Sequence, residues 1–197
     1  MQDKGIVNDK VKSILAAGSK IFSQRSFHEV KMQEIADLAG VGKGTIYEYF
    51  SSKEELLSQV LKLGVNQYRE EINFRNIEGK DIWDRMEKYL NANIEFFWNN
   101  REMGNLLVHS DHPFQKRIKE WLLDVRQDSL RDLEDVFSEA VSRGEIRDVS
   151  PSLAAKIFRS IISEVIPGTI LLEGEKPDEK DINEIVVILR EGLKDSS

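Results

Sequence analysis

Residues 35–50 read Ile35-Ala36-Asp37-Leu38-Ala39-Gly40-Val41-Gly42-Lys43-Gly44-Thr45-Ile46-Tyr47-Glu48-Tyr49-Phe50, and this stretch decides the fold. Met32, Ile35, Ala36 and Ala39 recur at helical spacing and stop at Gly40, a residue that adopts the left-handed conformation closing a helix at no steric cost. Three residues later, Lys43 to Phe50 places Ile46 and Phe50 four apart on one side, as a second short helix requires. Two short helices joined by a glycine-containing turn are a helix-turn-helix. Ala36 and Ala39 are small enough for close helix approach, and Val41 and Ile46 fill the angle between the helices. The N-terminal half of the second helix then offers Lys43, Gly44, Thr45 and Tyr47 to base edges and phosphates of a DNA major groove.

The same glycines invite comparison with a nucleotide loop. Gly40-Val41-Gly42-Lys43-Gly44-Thr45 holds a Gly-Lys pair, yet Gly44 follows the lysine where Ser or Thr is needed, and Asp37 stands where the leading glycine belongs. A dinucleotide fingerprint needs glycine where Thr45 stands. Both loops follow a strand, whereas the residues before Gly40 have helical spacing. Nucleotide binding is therefore set aside.

Outward from this stretch the chain reads as helical throughout. Upstream, Val11, Ile14, Leu15, Gly18, Ile21 and Phe22 form one apolar face, with Asn8 or Asp9 as a cap. Downstream, Ser51 or Ser52 caps a helix with Glu54 and Glu55 in its first turn, where the helix dipole favours negative charge; its stripe runs from Leu56 to Ile72. A further face spans Ile82 to Phe97, and a shorter one follows over 101–110. A very long helix starts near Asp111-His112-Pro113 and ends at Gly144. Ser150-Pro151 is a strong start signal for an apolar segment reaching Ile166, which Pro167-Gly168 kinks or ends. Ile182, Ile185, Val186, Leu189 and Leu193 mark the last stripe. No segment alternates with period two for long. The expected architecture is all-α, about nine helices: an N-terminal three-helix bundle with the helix-turn-helix over 1–53, and a larger helical ligand-binding and dimerisation domain over 54–197.

Composition agrees. The 197 residues are 40% apolar and 32% charged with only four prolines, which suits a chain with a real core and excludes a disordered one. With no cysteine, disulfides and thiolate chemistry are excluded. Residues 1–12 lack the apolar block of a secretory signal and no stretch approaches the length of a membrane span, so a soluble cytoplasmic protein with no membrane partner is expected. The net charge is −7, unevenly distributed. Residues 1–53 hold eight basic and six acidic side chains, a balance of +2, whereas residues 54–197 hold 20 and 29, a balance of −9. A mildly basic quarter on an acidic body still presents a local phosphate-binding face.

The string Ile35-Ala36, Ala39-Gly40-Val41, Lys43-Gly44-Thr45-Ile46-Tyr47, Tyr49-Phe50 and Ser52-Lys53-Glu54-Glu55-Leu56 resembles the TetR-type bacterial transcriptional regulators over about residues 9–61. The resemblance implies a ligand-responsive repressor: a homodimer whose recognition helices enter successive major grooves of a palindromic operator, released when a small molecule in the C-terminal domain shifts the fourth helix. It further implies that Lys43, Thr45 and Tyr47 meet bases or phosphates, that Tyr49 and Lys53 meet the DNA backbone, and that Gln33 meets a base edge or phosphate. Two departures stand out. Met32 replaces a common capping threonine, leaving Lys31 to substitute electrostatically, and Gly42 replaces a common serine cap at a cost of a few tenths of a kcal/mol. Glu48 places a negative charge near the DNA face, pointing away from the groove or accepting from a cytosine amine. The plainer alternatives are packed aromatics for Tyr47 and Tyr49 and solvated charges for Lys43 and Lys53.

In the C-terminal part, Trp83, Phe96, Phe97, Trp98, Phe114, Trp121, Phe137 and Phe158 form an aromatic set that is either plain core or, as the resemblance implies, partly the wall of a cavity. Candidate lining residues are Met86, Tyr89, Asn93, Phe97, Trp121, Val125, Ile162 and Val165, with Asn93 as the polar anchor for a small apolar or aromatic ligand. His109 and His112 flank Asp111, but no third ligand is evident, and solvated loop histidines with a capping aspartate explain them better than metal. No nucleophile-base constellation appears, so no enzyme and no cofactor are expected. The segments 151–166 and 178–193 form either a four-helix dimer interface or ordinary intrachain packing. A helical sensor or carrier without DNA binding, and an all-helical enzyme, are the competing readings.

Overall fold

A computed structural model of the chain describes residues 3–108 and 116–193, with side chains over 9–106, at 116 and over 118–193. Nine α-helices and no strand occur among the described residues, in agreement with the all-α expectation: α1 Asp3–Gln24, α2 Met32–Ala39, α3 Lys43–Tyr49, α4 Lys53–Glu71, α5 Ile82–Asn99, α6 Arg101–Val108, α7 Lys116–Ser142, α8 Pro151–Ser160 and α9 Glu179–Leu193. A short 3-10 turn at Phe74–Asn76 follows α4.

Local chemistry sets the boundaries. Ser52 Oγ accepts from the Glu55 amide at 3.1 Å and opens α4, as its sequence predicts. The Asp81 carboxylate accepts from the Asp84 amide at 2.9 Å and opens α5, and Ser150 with Pro151 at the first helical position opens α8. The stretch Asp111-His112-Pro113, with His109, lies outside the described residues. α1 starts at Asp3, before the expected cap at Asn8 or Asp9.

After α8, the sequence leaves open whether Pro167-Gly168 kinks the helix or ends it. Pro167 does not end it: helical turns continue to Glu173, with π-turns over Ile161–Val165 and Gly168–Glu173. Proline has no N–H with which to close a normal turn. Wider turns absorb the break: the Ile166 amide reaches back to the Ile161 carbonyl, and Thr169 Oγ1 donates to the Val165 carbonyl at 3.1 Å.

The chain divides into two compact units, Met1–Gln67 with Glu102–Glu120, and Tyr68–Arg101 with Trp121–Ser197. Each has its own apolar core. In the first, Ile14, Phe22, Ile35, Ile46, Leu56, Leu57 and Leu61 are buried, joined by Leu106 of α6. Here α4 approaches α6 closely, since a Cβ at Gly64 would collide with the side chain of Met103. In the second, Met86, Leu90, Phe137, Phe158, Ile166 and Ile182 are buried. Its centre is an aromatic cluster in which Phe74 lies 4.8 Å from Tyr89 and Phe158 lies 5.7 to 6.0 Å from Phe74, Phe137 and Tyr89.

Candidate nucleic-acid interface and ligand chamber

The turn between α2 and α3 is closed by the backbone. Gly40 sits at φ 69°, in the left-handed region, while its amide donates to the Asp37 carbonyl at 3.2 Å and the Val41 amide donates to the Ala36 carbonyl at 3.0 Å. These two bonds are the paired closure of a Schellman motif, which only a residue tolerant of positive φ permits cheaply. Val41 packs against the core and Ile46 is fully buried, so the angle between the helices is set by the residues expected to set it.

The start of α2 shows how the chain manages with Met32. Its side chain is buried in the core, and the cap comes from the opposite direction. Glu34 Oε2 accepts from the Lys31 amide at 2.8 Å while Glu34 Oε1 accepts from Arg25 Nη1 at 2.9 Å. The bond to Arg25 first, then the one to Lys31, holds the Glu34 carboxyl below the ordinary carboxylate range. This is the returning half of a capping box, the glutamate at the third helical position reaching back to the capping amide; Lys31, which has no acceptor, leaves the other half unmade.

The outward face of the motif carries most of the residues expected there. Lys31, Gln33, Gly42, Lys43, Gly44 and Tyr47 are exposed, Tyr47 at 47% although it is a large aromatic. Thr45 is half-buried, and Tyr49 is half-buried and packed against the core. Gln33 Nε2 donates to Asp37 Oδ1 at 2.7 Å. No side chain caps α3 at Gly42. Glu48 is exposed.

Lys53 has a role that spacing alone did not reveal. Its Nζ donates to the carbonyls of Phe27 and Val30 at 2.6 and 2.7 Å and lies 4.4 Å from the centre of the Phe27 ring. The lysine thus pins the α1–α2 loop to the start of α4, leaving one ammonium proton for any further acceptor.

In the second unit, the predicted lining residues separate into two groups. Met86, Tyr89, Asn93, Phe97 and Ile162 are buried together in the core. Trp121 and Val125 are half-buried and Val165 is 51% exposed, so Val165 is not enclosed with the others. Tyr89 and Val125 share the wall of a cavity of about 80 Å³ with Tyr68, Phe74, Asp132 and Leu133, among others. Asn93, 0% exposed, is already occupied: Tyr68 Oη donates to its Oδ1 at 2.6 Å, and its Nδ2 donates to the Tyr89 carbonyl at 2.7 Å. Burial, above all, pushes the Tyr68 phenol well above the usual tyrosine range and raises Tyr89 as well. Tyr68 was missing from the sequence-based set, because its place on the α4 stripe reads as ordinary core. Among the described residues no group of three or more His, Asp or Glu side chains is arranged to hold a metal ion. No helix among them is long and apolar enough to cross a membrane.

Comparison with known proteins follows the same division. The sequence model of the bacterial regulatory proteins, tetR family, matches residues 14–60. Over 180 residues the chain is 24% identical to an HTH-type transcriptional regulator of Bacillus subtilis, YfiR, covering 87% of this chain and 85% of that protein. Among solved structures it is similar in fold to FadR of Bacillus subtilis in complex with stearoyl-CoA (TM-score 0.75, 18% identity, 90% of this chain and 96% of that one). It is also similar in fold to AibR in complex with isovaleryl coenzyme A and operator DNA (TM-score 0.73, 21% identity, 91% of this chain and 97% of that one). The helix-turn-helix built as described thus lies within residues 14–60, the part of this chain that matches the tetR family of bacterial regulatory proteins.

Proposed function

We propose that this regulator is a ligand-responsive repressor that binds a palindromic operator as a homodimer and leaves it when an apolar acyl ligand occupies the C-terminal unit. The observation that carries the DNA-reading part is the face of α3, where Lys43, Gly44 and Tyr47 stand exposed beyond a turn fixed by backbone hydrogen bonds. An exposed tyrosine beside an exposed lysine, on a helix otherwise anchored through Ile46 and Phe50, suits base-edge and phosphate contact better than it suits stability. Lys31 and Gln33 extend the same face at the start of α2.

The homodimer is supported by apolar side chains left in solvent on the last helices. Leu153 and Ile157 lie one turn apart on α8, and Val187 and Ile188 lie on α9, all about half exposed or more. Such a strip suits a self-complementary helical interface. The acyl ligand is supported by the largely apolar core around Met86, Tyr89, Phe97 and Ile162, and by the fold shared with proteins solved with stearoyl-CoA and isovaleryl coenzyme A. The cavity of about 80 Å³ admits only a few waters, at about 10–15 Å³ of such volume each, so a ligand must part the packing to enter.

Selection of bound fragments from a random DNA pool at roughly physiological salt tests the reading. Recovery of one inverted repeat with half-sites about one helical turn apart, released by an acyl-CoA, is the expected result. Recovery of no sequence in the presence or absence of acyl-CoA leaves a helical sensor without DNA binding as the better account.

A further inference from the structure

Through α8 and the two π-turns that follow it, the side chains fall into two rows of step four. Ala154, Phe158, Ile162, Ile166 and Ile170 are all buried. The neighbouring row, one residue earlier, holds Leu153, Ile157 and Val165, each about half exposed, with half-buried Ile161 and Thr169 between and after them. Four residues overshoot one turn of a regular α-helix by about 40°, so over four steps either row would wind nearly half-way round the helix. The wider turns at Ile161–Val165 and Gly168–Glu173 take up the extra residue. The inner row thereby stays on the core, and the outer row stays on the solvent side along its whole length.

Charge on this solvent side is arranged symmetrically. Lys156 and Glu164 are exposed and lie four residues to either side of Ser160, which is exposed and small. Among the described residues neither charged side chain forms a salt bridge or a hydrogen bond, and Glu164 acts on the half-buried Arg159 through charge alone. A parallel copy of this helix would set lysine beside lysine and glutamate beside glutamate. An antiparallel copy, related by a two-fold axis at Ser160, sets Lys156 level with the partner's Glu164 twice over and lets the helices cross where the side chain is small. The same axis places the partner's Val165 about midway between Leu153 and Ile157, so the outer rows interdigitate instead of colliding.

We infer that a second copy of this chain packs antiparallel along the outer row of α8, with Ser160 at the two-fold axis and Lys156 of each copy paired with Glu164 of the other. The inference rests on the homodimer reading above and adds the direction and register that reading left open. The apolar row supplies the attraction. Two ion pairs at its margin contribute little affinity and act on orientation, because only the antiparallel register at Ser160 brings opposite charges together.

The chain has no cysteine, so Ser160→Cys in the full-length protein introduces one thiol per copy and tests the axis directly. Helices packed about 8–10 Å apart bring the Cα atoms at their crossing point within the roughly 4.4–6.8 Å that a disulfide spans. Oxidation with diamide is expected to turn most of the Ser160→Cys protein into a covalent dimer on a non-reducing gel, while Ser142→Cys, exposed at the end of α7, stays uncoupled. Subunit exchange between differently labelled copies tests the charges. Lys156→Glu and Glu164→Lys should each speed exchange roughly tenfold, because symmetry sets two like-charge contacts in place of two attractive ones, and the two substitutions combined should return it close to wild type. A wild-type dimer in which Ser160→Cys does not couple, or couples no better than Ser142→Cys, overturns the inference and leaves the homodimer reading standing, as does exchange that neither charge reversal alters. Sedimentation of wild type as a monomer overturns both.

Discussion

At the scale of single residues, Lys53 and Tyr47 separate the two ways in which a residue can matter for DNA binding. Lys53 holds two carbonyls and a ring face within the first unit. Lys53→Ala leaves those carbonyls without their charged donor, at a cost of about 1–3 kcal/mol, and should lower the melting temperature together with DNA affinity. Tyr47 is exposed, so Tyr47→Ala should leave the melting temperature within error and weaken DNA binding alone. Equal melting temperatures for both variants would remove the loop-pinning role of Lys53. Tyr68 gives a pH signature in the other unit. Its phenol is raised above the ordinary value of 10.0, mainly by burial, so the stability it contributes is fully present below about pH 10 and is lost as pH rises through the folded value. Alkaline denaturation should therefore set in above about pH 10, and Tyr68→Phe should lessen its pH dependence. The same variant leaves buried Asn93 Oδ1 without the hydroxyl donor, so it should be less stable at neutral pH by about 1–3 kcal/mol.

At the scale of elements, the glycines of the first unit separate two kinds of constraint. Nothing lies within 4 Å of a Cβ at Gly40, but its φ of 69° disfavours any side chain. Gly40→Ala should cost about 1–2 kcal/mol through backbone strain alone. Gly64 has ordinary helical backbone, and a Cβ there would collide with the Cε, Sδ and Cγ of Met103. Gly64→Ala should gain about 1 kcal/mol of helix propensity and lose about 1–3 to overpacking, so denaturant titration should find it neutral to destabilised, more so than Gly64→Ala combined with Met103→Ala. Gly40 was legible in the sequence because a turn glycine ends an apolar period, whereas Gly64 reads only as a member of the α4 stripe, since its partner lies on another helix. The same limit explains the other differences. Caps at Ser52 and Ser150 depend on neighbours within four residues and were readable. The pinning of Phe27 and Val30 by Lys53 spans more than twenty residues and was not. Nor were the π-turns around Pro167, because widening a turn by one residue barely disturbs the apolar pattern that marks a helix.

For the molecule as a whole, two reading heads bind differently from one. A short helix such as α3 offers few base contacts, and the surrounding first quarter has a balance of only +2, so a single copy should bind DNA weakly. Two copies joined through a stable interface raise the effective concentration of the second head once the first has bound, multiplying affinity with no new contact. The exposed Leu153 and Ile157 of α8 and Val187 and Ile188 of α9 are the side chains such an interface would cover. A charge placed there should be tolerated by the folded monomer, since these positions are in solvent, and should be costly only when a second copy covers it. Leu153→Glu combined with Ile188→Glu is therefore expected to leave helix content and the first thermal transition close to wild type while sedimentation shows a monomer. Operator affinity should fall far more than Tyr47→Ala alone lowers it, and the slope of log affinity against log salt should drop to about half, because one head engages about half the phosphates. A dimer that survives both substitutions would place the interface elsewhere on the chain. A monomer that keeps full operator affinity and the full salt slope would mean that each copy reads DNA by itself.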